Sequence, residues 1–102
     1  MKLRVLDEAD AEAIEAAKWY EDRSPGLGHD FRAEVKLAFD QIRSNPRRFA
    51  LMEYRTLEGE VRRAILDRFP YLVVFEVFGN EILVLAVSHA KRDQSYWESR
   101  RE

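Results

Sequence analysis

Apolar and polar positions follow three different rhythms along this chain, and each predicts a different element. Lys2–Leu6 alternates charged and apolar side chains, the two-residue period of a half-buried strand. From Ala9 to about Arg23, Ala13, Ala16, Ala17 and Tyr20 share one helical face with Ile14 beside them, while Glu12, Glu15, Lys18 and Glu21 keep the opposite face wet. Alanine and glutamate favour helix. Asp7 sits where an N-cap belongs, with Asp10 three positions later to favour the positive helix end. Ser24–Gly28 (SPGLG) ends this helix and turns the chain, because Pro25 cannot continue it and Gly26 and Gly28 relax the backbone. A second helix over about His29–Ser44 carries the cleanest stripe, with Phe31, Val35, Ala38, Phe39 and Ile42 at i, i+4, i+7, i+8 and i+11. Each large member contributes about 1.5–3 kcal/mol on full burial before entropy is counted, so the stripe reads as core. Asn45-Pro46 stops the helix.

Residues 46–60 show no sustained period. Phe49, Leu51, Met52 and Tyr54 either tuck beneath a loop or begin an edge strand, and Gly59 marks a turn. Three apolar strands follow, over Val61–Phe69, Tyr71–Phe78 and Glu81–His89. Pro70 fits between strands, since inside a sheet it removes a ladder hydrogen bond. Gly79-Asn80 is a two-residue hairpin signal that makes the last pair antiparallel. The order β-α-α-β-β-β predicts an α+β fold: a two-helix hairpin packed on one face of a four-stranded, mostly antiparallel sheet, as a single domain over residues 1–102. Two helices cover one face. The other, carrying residues of Val73–Val77, is expected to stay apolar and open for a second protein.

Composition narrows the class. At 102 residues the chain suits one two-layer core. It has no cysteine, which excludes disulfides and thiolate metal sites and makes a reducing cytoplasm the expected location. No signal-like segment opens the chain and no apolar run approaches membrane-spanning length. The net charge of −2 is unevenly spread: residues 1–40 carry 10 acids and 6 bases, residues 41–102 carry 9 acids and 11 bases. The later bases are mostly arginine, suited to bidentate contact with phosphate or carboxylate. Arg62, Arg63, Arg68, His89, Lys91, Arg92 and Tyr96 gather near strand ends. That set fits an anionic or protein partner, with no cofactor and no metal expected. His89, at a strand end before a turn, is read first as a hydrogen-bonded structural residue and second as a base.

These segments taken together carry a resemblance. Ala16–Phe31 (AAKWYEDRSPGLGHDF), Ile42–Phe49 (IRSNPRRF), Arg62–Val77 (RRAILDRFPYLVVFEV) and Val84–Trp97 (VLAVSHAKRDQSYW) resemble, in order and spacing, the RelE/ParE superfamily of bacterial type II toxin–antitoxin toxins, also called plasmid stabilisation proteins. The resemblance implies a growth-inhibiting toxin neutralised by a cognate antitoxin, with operator DNA reached only through the antitoxin complex. One branch inhibits DNA gyrase without chemistry; the other cleaves mRNA on the ribosome. Cleavage without a metal needs a base, a proton donor and cations for the phosphorane. The resemblance would draw these from Arg68, His89, Lys91, Arg92 and Tyr96. Leu72 stands where the nuclease branch carries a basic residue, which favours the gyrase branch. On that reading Arg62, Arg68, Lys91, Arg92, Tyr96 and Trp97 are the expected target-binding residues, and Trp19, Leu72 and Val74 the expected antitoxin-binding ones. Cleavage of mRNA, or a degenerate module that only binds antitoxin, are the alternatives.

Overall fold

The computed structural model describes residues 1–52 and 59–101. Its elements are β1 (Lys2–Val5), α1 (Asp7–Arg23), α2 (Leu27–Ser44), a 3-10 turn (Pro46–Arg48), β2 (Ala50–Leu51), β3 (Glu60–Ile65), β4 (Tyr71–Phe78), β5 (Glu81–His89) and a C-terminal 3-10 segment (Gln94–Arg100). The strands form one sheet in the order β1-β5-β4-β3-β2. β1 runs parallel to β5, and every other pair is antiparallel. The expected α+β class and the four expected strands are present. β2 adds a fifth, two residues long, where an edge strand was one of two readings. Tyr54 lies outside the described residues.

Both helices begin two residues earlier than the sequence pattern suggests, for different reasons. Asp7 is the first helical residue and not the cap; Leu6 holds the N-cap position without a side-chain hydrogen bond, and Asp7, Glu8 and Asp10 complement the helix dipole instead. α2 starts at Leu27 because Glu21 reaches over from α1. Its Oε2 accepts from the Gly26 N–H at 2.9 Å and its Oε1 from the Gly28 N–H at 3.0 Å, occupying N–H groups that a helix start leaves orphaned. Gly28 is required for close approach, since a Cβ there would lie 2.4 Å from the Ala17 carbonyl oxygen. Gly28→Ala is therefore expected to destabilise the fold by about 1–3 kcal/mol in thermal or urea unfolding. An unchanged midpoint would contradict the close crossing of the hairpin.

The sheet is buried on both faces, which corrects the expectation of an open one. On the helix side, Val73, Phe75, Val77, Ile82, Val84 and Val87 pack with Phe31, Val35, Ala38 and Ile42 of α2 and Ala9, Ala16 and Ala17 of α1. On the outer side, Leu72, Val74, Leu83, Leu85 and Ala86 form a second cluster with Met52, Val61 and Trp97. Trp97 has 0% exposure. It is carried there by the C-terminal segment, whose first turn is fixed by Asp93 accepting from the Ser95 N–H at 2.9 Å and from its Oγ at 2.8 Å. That carboxyl is held below the usual aspartate range by those two donors. The tail is then tied by an ion pair between Arg101 and Glu76, a β4 residue only 5% exposed. Leu72 and Val74 thus lie beneath the chain's own tail and are not displayed for a partner.

β3 ends at Ile65, four residues short of the expected Phe69. The chain there folds into a turn in which Leu66 N–H bonds the Tyr71 carbonyl at 3.0 Å and Tyr71 N–H bonds the Phe69 carbonyl at 2.8 Å. Among the described residues no helix is long and apolar enough to cross a membrane.

Candidate functional site

An irregularity in β5 creates the site. Val74 pairs with Ala86 and Phe75 with Val84, so Leu85 is an extra residue in the ladder. Such a bulge shifts the alternation of side chains by one. Leu85 and Ala86 both face outward, and Val87 returns to the helix side. His89 follows it, set against Tyr71 with ring centroids 5.2 Å apart. Without the extra residue, His89 would share the outer face with Leu83 and Leu85. Between this sheet end and α1 lies a cleft of about 560 Å³, walled by Glu12, Glu15, Ala16, Trp19 and Tyr20 on one side and Pro70, Tyr71, Val87, His89 and Arg92 on the other.

Glu12 is the centre of its polar chemistry. β1 stops at Val5, paired with Val84, and leaves the rest of the β5 edge without a strand neighbour. Side chains take over there: the Val87 N–H donates to Glu12 Oε1 at 3.1 Å, and Arg100 donates to the Leu85 carbonyl at 3.0 Å. The same Arg100 donates to both Glu12 oxygens, at 3.0 and 3.2 Å, and Tyr96 Oη donates to Oε2 at 2.8 Å. Arg92 lies 3.8 Å from that oxygen, with its guanidinium 3.5 Å from the Tyr96 ring centre. A carboxylate so surrounded, with a side chain only 17% exposed, covers an unpaired sheet edge and gathers the C-terminal cations. Glu12 does not belong to the wet face of α1 to which the helical pattern assigned it.

The structure disperses the expected site residues. His89 and Arg92 line the cleft, Tyr96 lies against Arg92 and Glu12 beside it, and Lys91 is exposed in the adjoining turn. Arg68 lies elsewhere, 3.5 Å from Asp30 in a separate groove between α2 and the turn after β3. Arg62 is spent on structure: it bonds Glu60 at 2.7 and 2.9 Å and the carbonyls of Phe49 and Arg47 at 2.7 and 3.2 Å. That bond to Arg62 is the main reason the Glu60 carboxyl titrates below its ordinary range. Trp97, expected at a target surface, is core. Trp19, expected at an antitoxin surface, is 51% exposed, with the Arg23 guanidinium 3.4 Å over its ring.

Hydrogen bonding sets the donors and acceptors around the cleft. His89 Nδ1 accepts from the Lys91 N–H at 3.1 Å, so the neutral ring carries its proton on Nε2 and offers a donor, not a base. Burial pushes the Tyr96 phenol above its ordinary range, and its bond to Glu12 adds to the shift. Burial does the same to Tyr71, with further contributions from Tyr20, Glu15 and Glu12, and to Tyr20. A phenol with a raised folded-state pKa stabilises the fold fully below its unfolded value and ceases to as pH rises through the folded one. Stability is therefore expected to fall once pH exceeds about 10. Denaturant midpoints taken across that range check this, and a flat profile would contradict it. Among the described residues no three His, Cys, Asp or Glu side chains are grouped to hold a metal ion.

Comparison with known proteins adds the lineage. A family model described as the ParE toxin of the type II toxin–antitoxin system parDE matches residues 3–94. A solved structure described as the chromosomal ParDE TA system from P. aeruginosa is similar at a TM-score of 0.75 and 20% identity, covering 89% of this chain and 97% of that one. At that identity the likeness speaks for the fold. No curated protein sequence matches.

Proposed function

The chain belongs to the ParE toxin family of type II toxin–antitoxin systems, and from that premise we propose that it arrests growth by binding DNA gyrase without catalysis. A cognate antitoxin holds it inactive in the cytoplasm, and operator DNA is reached only through that complex. The observation that carries the non-catalytic reading is the position of Glu12. Cleavage of RNA needs cations free to meet a phosphorane. Here Arg100 and Tyr96 are bonded to a carboxylate, and Arg92 lies over Tyr96 beside the same group. Glu12 would repel the phosphate those cations would have to hold. Arg68 stands in another groove, and Leu72 is buried. The proton-bearing side of His89 supplies no base.

The exposed Trp19 and the cleft beside it support this region as the antitoxin surface in place of the sheet's outer face. RNA integrity tests the reading. On induction, growth is expected to stop while ribosome-bound messages stay intact, and co-expressed antitoxin restores growth. Messages cut on translating ribosomes, with cutting abolished by Arg92→Ala in a folded protein, would overturn it.

A further inference from the structure

The α1–sheet cleft includes His89 and Arg92 of the cationic strand end, but its α1 wall has a chemistry of its own. Its walls are aromatic: Trp19 stands at the mouth, Tyr20 lies edge-on 5.1 Å from it, and Tyr71 and His89 form the opposite side. Ala16, at the centre of the α1 wall, leaves room for an incoming chain. Glu15 sits on the same helix face, one turn before Trp19. Among the described residues its carboxylate has no hydrogen-bond or ion-pair partner. Its charge is nevertheless felt across the cleft, where it helps raise the Tyr71 phenol. Arg92, the cation on the lining, is turned onto Tyr96 and Glu12. A carboxylate beside these rings, one of which already stacks the Arg23 guanidinium at 3.4 Å, is suited to a further cation with an apolar stem, held through charge and through the ring quadrupoles.

We propose that this cleft receives a basic side chain, arginine or lysine, projected by the antitoxin, with its stem along Ala16 and Val87 and its head between Glu15 and the rings of Trp19 and Tyr71. The proposal rests on the reading that an antitoxin covers the Trp19 region, and it reverses the sign of the partner that the arginine-rich C-terminal half suggests. An anionic side chain entering here would meet Glu15, while Arg92 is already engaged by Tyr96 and Glu12.

The two tryptophans make a direct test practical, because Trp19 is exposed and Trp97 is fully buried. The full chain is titrated with N-acetyl-arginine amide, and separately with the lysine, leucine and glutamate amides, while the indole N–H of Trp19 is followed by NMR. The expected result is a saturable shift with arginine or lysine amide at a Kd on the order of 10 mM. It should weaken by about threefold or more in Glu15→Gln. Glu81→Gln, at the other end of β5, should leave it unchanged. Equal binding of leucine amide with no effect of Glu15→Gln would overturn the proposal in favour of a plain apolar pocket. Preference for glutamate amide would overturn it in favour of an anion site at Arg92. No saturation with any amide would overturn it outright. Neutralisation of Trp19→Ala by the antitoxin in cells separates the two levels. Lost neutralisation without arginine or lysine binding leaves the antitoxin surface standing and removes the cation site. Unchanged neutralisation despite arginine or lysine binding removes the antitoxin as its occupant.

Discussion

Trp97→Ala is expected to cost about 3–5 kcal/mol. The indole is completely buried in the outer cluster, against a sheet face that includes Val74, Leu83 and Leu85. Among the described residues no α-helix is available to take its place, because α1 and α2 lie on the opposite side of the sheet. Removing it leaves a cavity and takes away the segment's apolar anchor, leaving the polar ties to Glu12 and Glu76, so the apolar face beneath should become more open to solvent. A domain of this size has a total stability of roughly 5–15 kcal/mol, so the variant is expected to be marginal. Urea unfolding gives the loss, and binding of an apolar dye reports the uncovered face. A cost under about 1 kcal/mol with no dye binding would mean that the C-terminal segment is not what closes the sheet.

The second large effect is expected at Glu12. Its carboxylate accepts from the Val87 N–H, Tyr96 Oη and both terminal nitrogens of Arg100. Glu12→Ala strands those donors, and Arg100 is left partly buried with only the Leu85 carbonyl. A fully buried pair broken this way costs about 3–5 kcal/mol; with both side chains still partly open to water, about 2–3 kcal/mol is expected. Glu12→Gln keeps an acceptor and should lose less. A double-mutant cycle with Arg100→Ala gives the coupling directly, expected at about 1–2 kcal/mol. Additive losses would show that the two residues stabilise the fold independently. The same substitution also releases Arg92 and Tyr96, so a folded Glu12→Gln protein shows whether those groups acquire activity once the opposing charge is removed.

The features legible in the sequence are those that a local signal enforces. Gly79 takes a φ of 60°, and the hairpin falls where Gly79-Asn80 placed it, with the β4 and β5 boundaries as expected. The α2 stripe is core at Phe31, Val35, Ala38 and Ile42 because its period is unambiguous. The cover of the outer face is not legible, because it is a 3-10 run with no amphipathic period and counting helices misses it. Asp93 two residues before Ser95 is the signal that could have marked its start. The Leu85 bulge is hidden because every neighbour in Ile82–Val87 is apolar, so either register buries the strand. Glu12 looked like a solvated glutamate since its partners, Tyr96 and Arg100, lie 84 and 88 residues away. Long-range pairing of this kind leaves no trace in spacing. The arginines gathered by composition proved to be separated by topology, with Arg62 and Arg68 on β3 and its following turn and Arg92 beyond β5.

A supercoiling assay with purified gyrase tests most directly the proposal that this toxin acts by contact and not by cutting. With relaxed plasmid, ATP and the purified chain, supercoiling is expected to fall as toxin is added and to return when the antitoxin is supplied. Full gyrase activity at saturating toxin, from a preparation that still arrests growth in cells, would contradict it.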